Sequence, residues 1–133
     1  MRLAGSVGPV RAQKKDYLSE LEADKIREAE TPSERIKLFV TFAAERIRKL
    51  QYELERPSSD RRRGELLNSL LNGYTGCLDD AVELIELGLE KQTDIREGLK
   101  EMQKKAPEFL KYLQGLNENG PEREKYQRTL EDA

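Results

Sequence analysis

The hydrophobic and polar positions of this chain alternate with helical periods almost from end to end. The longest such stretch runs from 59 to 91. Helical residues advance about 100° each. On that wheel Leu66, Leu67, Leu70, Leu71, Tyr74, Cys77, Leu78, Ala81, Val82, Leu84, Ile85 and Leu89 fall within one arc of roughly 160°. Leu87 is the large apolar side chain left outside it, and the opposite arc carries Glu65, Asn68, Asn72, Asp79, Asp80, Glu83, Glu86 and Glu90. So wide an arc suits a helix with at least two neighbours. Gly73, Gly76 and Gly88 lie at its edge, where they would let neighbours approach closely. The apolar phase is the same on both sides of Gly73 and Gly76, which predicts a continuous or slightly kinked helix.

The flanking segments supply the neighbours. Ser19 and Glu22 form a capping box that starts a short helix running to about Ala29, with Leu18 placed to staple onto Ala23. Thr31, Pro32 and Glu34 make a second box, with proline at the first helical position. The helix it opens carries Ile36, Val40, Ala43, Ile47, Leu50 and Leu54 at alternating spacings of four and three, and Pro57 stops it. After a turn over 57–60, Ser59 or Asp60 caps the central helix. A further seam reads Ile95, Leu99, Met102, Ala106, Phe109, Leu113 and Leu116, again at fours and threes. Asp94 and Glu97 form its expected capping pair, and Pro107 sits in it without shifting its phase, which predicts a kink. Pro121 then opens a short last helix in which Tyr126 and Leu130 share a face.

The expected fold is therefore all-α. Three long antiparallel helices near 31–56, 59–91 and 94–114 form an up-down bundle, with a short helix at each end. Residues 1–15 read as a flexible tail or a signal-peptide remnant, 16–116 as the bundle, and 117–133 as a loop with the short terminal helix. Val10 and Ala12 occupy the small-residue positions of a signal-peptidase site.

Composition narrows the function. At 133 residues, 38% charged and 36% hydrophobic, the chain suits one domain with a heavily solvated exterior. A net charge of −2 argues against nucleic-acid binding, which needs a basic field. Histidine is absent, which removes the commonest general base and the usual imidazole metal sites. A single cysteine excludes an intrachain disulfide, and no apolar run is long enough to span a membrane.

Each candidate for chemistry has a plainer reading beside it. Cys77 and Tyr74 lie in the apolar arc and read as core, Tyr112 as surface. Asp79, Glu83, Glu86 and Glu90 form an acidic strip that faces solvent or meets Arg35, Arg46 or Lys49. Arg61, Arg62 and Arg63 crowd the first turn of the central helix, the end its dipole makes unfavourable for cations. They read as a solvated cluster, with an anion or acidic partner as the functional alternative. Leu38 and Phe42 make a second apolar stripe off the seam of their helix. Cover by a terminal helix is the plain explanation, and a contact for a partner or for self-association is the functional one.

The run Ala23-Asp24-Lys25-Ile26-Arg27, then Pro32, Arg35-Ile36-Lys37-Leu38 and Phe42-Ala43, resembles that of a group of uncharacterised bacterial proteins expected to be exported. The resemblance implies export to the periplasm or beyond, and no activity, cofactor or site residue. Without it, a cytoplasmic location is the default. Two functional readings result. One is a non-catalytic interaction or structural protein, self-associating through Leu38 and Phe42. The other is a small-molecule or ion sensor with its site inside the bundle, near Tyr74 and Cys77. An enzyme would need a convergent acid, base and nucleophile, and the pattern offers none.

Overall fold

The computed structural model describes residues 17–56, 61–120 and 123–133. Its helices are α1 (Glu20–Glu28), α2 (Pro32–Leu54), α3 (Arg63–Lys91), α4 (Arg96–Asn119) and α5 (Gln127–Asp132), with a 3₁₀ turn at Arg123–Lys125 before α5. The chain is an all-α bundle in which α2, α3 and α4 run up, down and up. Val10, Ala12, Pro57, Ser59, Asp60 and Pro121 lie outside the described residues, and the N-cap position of α3 is Arg62 in place of the expected Ser59 or Asp60.

Helix starts follow local chemistry. The Ser19 hydroxyl accepts from the Glu22 amide at 3.1 Å, and the Glu22 carboxylate accepts from the Ser19 amide at 3.0 Å, a complete capping box. At α2 only half of the box forms. The Thr31 hydroxyl accepts from the Glu34 amide at 3.1 Å, while Glu34 turns one residue further back, to the amide of Glu30. α4 corrects the expected Asp94–Glu97 cap: Ile95 is the N-cap residue, and the Asp94 carboxylate takes the Arg96 amide and guanidinium instead. That helix also runs one turn past Gln114 to Asn119, because Leu113 and Leu116 continue its buried face.

α3 crosses Gly73 and Gly76 without a break. It ends where Gln92 adopts a left-handed conformation, φ 57°, and Thr93 donates back to the Gly88 carbonyl at 2.9 Å, a Schellman closure. α4 continues through Pro107.

α2 is the hub, and this corrects the expectation that the 59–91 helix organises the rest. Both other long helices pack on α2, which buries Ile36, Phe39, Val40, Phe42, Ala43, Ile47 and Leu50. The start of α4 touches the start of α2, where the Gly98 amide donates to the Ser33 hydroxyl at 2.6 Å. α3 meets α4 edge-on through Tyr74 and Phe109, whose ring centroids are 5.6 Å apart. α5 and the 3₁₀ turn lie on α3 and α4 together, and insert Tyr126 and Leu130 into the core.

Candidate interaction surface

The densest polar cluster lies where the chain enters α1 and crosses α2 and α3. Arg46 of α2 forms a two-pronged ion pair with Glu22, with Nη2 to Oε1 at 2.7 Å, and the same nitrogen donates to the Tyr17 carbonyl at 2.8 Å. The Tyr17 hydroxyl donates to the Gly76 carbonyl at 3.0 Å and bonds Asp80 of α3. Gly73, Gly76 and Gly88 of α3 do admit neighbours. The Arg46 stem sits over Gly73, the Tyr17 ring over Gly76, and Ile95 over Gly88. Burial pushes the Glu22 carboxyl up, but hydrogen bonds from Arg46 and Ser19 outweigh it and leave the pKa lowered. Every strong donor here already has a protein acceptor, so the cluster works as a clamp.

The other singled-out residues occupy definite places. Phe42 is 2% exposed and edge-on to Phe39, so it is core and not an open contact, and Leu38 beside it is half-buried. Arg46, one turn after Phe42, holds Glu22, which sets the start of α1 over this part of α2. The arginine run is split. Arg61 and Arg62 are exposed, and Arg62 approaches Glu65 at 3.4 Å. Arg63 is 4% exposed and donates to the Glu53 carbonyl at 2.7 Å, so it locks the end of α2 to the start of α3 and is no part of a solvated cluster.

Tyr74 and Cys77 fill the core, and burial pushes both groups up to about 12. A thiol in that state is a poor nucleophile. Tyr112 is half-buried rather than at the surface, and its hydroxyl is likewise pushed up to about 12. The acidic strip Asp79, Glu83, Glu86 and Glu90 is exposed. Arg35 and Arg46 of α2 serve the α1 segment instead of the strip: Arg46 holds Glu22, and Arg35 donates to the Ala29 carbonyl at 3.0 Å. No acidic group able to hold a metal ion occurs among the described residues.

One feature was hidden in the apolar arc. Along α3, the positions Asn68, Leu71, Thr75, Leu78, Val82, Ile85 and Leu89 repeat at three and four and so share one face. The C-terminal segment covers the first half of this row. Asn68 donates to the Lys125 carbonyl at 2.7 Å and accepts from the Thr129 hydroxyl, and Leu71 is fully buried. The second half is open: Val82 is 44% and Leu89 63% exposed. The α4 seam behaves in the same way. Phe109, Leu113 and Leu116 are buried at the end α5 covers, while Leu99, Met102 and Ala106 at the other end are half-buried. Because α3 and α4 are antiparallel, both open halves lie at the same end of the bundle. Periodicity alone reads these residues as core. The clue in the chain was that a terminal helix starting near 121 is too short to cover two rows of this length.

No helix among the described residues is long and apolar enough to cross a membrane. No protein-family model, curated protein or solved structure matches the chain.

Proposed function

We propose that the chain is a non-catalytic helical interaction protein, and that it is exported, as its 23–43 run implies by resemblance. The observation that supports the interaction reading is the open half of the α3–α4 rows, where Val82 and Leu89 place apolar side chains in water. The groups suited to chemistry have structural duties instead: Cys77 is core, Arg63 closes a helix junction, and Arg46 and Glu22 hold each other. The sensor alternative required an internal site around Tyr74 and Cys77. Tyr74 packs against Phe109 and Cys77 is fully enclosed, and both observations support the surface reading.

A photoreactive amino acid in place of Leu89 tests the reading in the protein's native cells. The expected result is one discrete crosslinked adduct that disappears when Val82→Glu is added. The same probe at exposed Arg48, on α2, gives none. An absence of adducts at 89, or the same adducts from 48, would overturn the proposal.

A further inference from the structure

Resting on the interaction reading, we propose that the occupant of the open α3–α4 groove is a second copy of this chain. The two copies join by a two-fold axis along the bundle, so that α3 of each lies over α4 of the other.

The shape of the occupant is set by what the groove already holds. At one end, α5 and its 3₁₀ turn sit between α3 and α4 and bury Tyr126 and Leu130. The rows that receive them continue without a change of phase into Leu78, Val82, Ile85 and Leu89 on α3, and into Leu99 and Met102 on α4. The open end therefore repeats the surface that takes a helix at the closed end. An antiparallel pair of helices with one apolar face is half of a four-helix bundle, and a second identical pair completes it.

Charge selects the second copy and its orientation. Going round α3 from the side packed on α2, the wheel passes the core, then the open row, then Asp79, Glu83, Glu86 and Glu90. Round α4 in the corresponding direction, the open row is followed by Gln103, Arg96, Lys100 and Lys104. All four acids and these three cations are exposed, with Arg96 3.1 Å from Asp94 and Lys100 4.0 Å from Glu97 of its own chain. The groove thus has an acidic outer bank on α3 and a basic outer bank on α4. A two-fold axis parallel to the helices sets each acidic bank against the basic bank of the other copy. A perpendicular axis in the same plane would stack acid on acid and base on base. Such self-complementarity is what an isologous interface requires. The rim charges then fix orientation, while the apolar row supplies the contact area.

Sedimentation equilibrium of the full chain over a range of concentrations reads the mass directly. The expected species is twice the chain mass of 15.3 kDa. Val82→Glu with Leu89→Glu should weaken association at least tenfold and leave helicity unchanged, since both side chains are already exposed. Glu83→Lys with Glu86→Lys should also weaken it, and adding Lys100→Glu with Lys104→Glu should restore it. A wild-type monomer at every concentration, a dimer indifferent to the substitutions at 82 and 89, or no rescue by the charge swap would overturn the proposal. The crosslink at 89 separates the two claims. An adduct of twice the chain mass supports the second copy. An adduct of another mass rejects the second copy and leaves the interaction reading standing, and no adduct rejects both.

Discussion

Two glycines in α4 should respond oppositely to the same substitution. An added β-carbon at Gly98 would lie 2.8 Å from the Ile36 β-carbon, 2.9 Å from the Ser33 carbonyl oxygen and 3.0 Å from Ile36 Cγ2. Neither a β-carbon nor a backbone oxygen can yield unless α2 itself moves. At Gly115 nothing lies within 4 Å. Alanine gains about 1 kcal/mol over glycine in a helix interior. Forcing a methyl group into a filled contact costs about 1–3 kcal/mol. The Gly98 contact involves backbone, so the upper part of that range applies, and Gly98→Ala should lose about 1–2 kcal/mol net. Gly115→Ala should gain about 0.5–1 kcal/mol. With about 4 °C per kcal/mol for a chain of this size, the two variants should melt roughly 6–12 °C apart. Thermal and urea unfolding followed by circular dichroism give the measurement. If Gly98→Ala proved as stable as Gly115→Ala, the close approach of α4 to α2 at Ser33 and Ile36 would be refuted.

Three other outcomes are expected. Gln92→Gly should stabilise the fold by about 1 kcal/mol in urea unfolding, because it relieves a left-handed residue that closes α3. Cys77 should react with a thiol reagent at pH 8 at least about a hundredfold more slowly in the folded protein than in denaturant, since the thiol is enclosed and its pKa stands at about 12. Glu22 has a folded pKa below its ordinary 4.5, so its contribution is complete above that value and is lost as pH falls through the lower folded one. Unfolding measured from pH 6 to pH 2 should therefore fall less steeply below pH 4.5 in Glu22→Gln than in the parent, and parallel curves would remove the carboxylate from the account.

Helix identity was legible because it rests on short-range rules. Ser19 with Glu22 and Thr31 with Pro32 announce helix starts through side chains within four residues of the free amides. The seams at fours and threes announce which face is buried. Three features escaped because they depend on packing between elements. The arc of α3 marked it as the most apolar helix, yet position in the bundle decides the hub, and that is α2. Arg63 looked like one of three solvated arginines until the Glu53 carbonyl was placed beside it. Phe42 carried two readings, covered or open, because its own helix does not cover it, and only the packed chain decides for cover. The open row was hidden for the reverse reason: Val82 and Leu89 have the periodicity of core, and only the reach of α5 decides which apolar positions stay wet.

The Arg46 clamp gives the molecule two tiers of order. α1 is nine residues long and its apolar anchors are few, Ala23 and Ile26 with Leu18 just ahead of it, so much of its attachment is the salt link to Glu22 and the Tyr17 hydroxyl on α3. A helix so short has little stability apart from its attachment. The front of the chain can therefore lift away while α2, α3 and α4 stay packed, a partial opening that lies below global unfolding in free energy. Amide exchange in α1 should run faster than in α2, and acid should widen that gap before the bundle melts, because protonating Glu22 releases the latch and leaves the three-helix frame untouched.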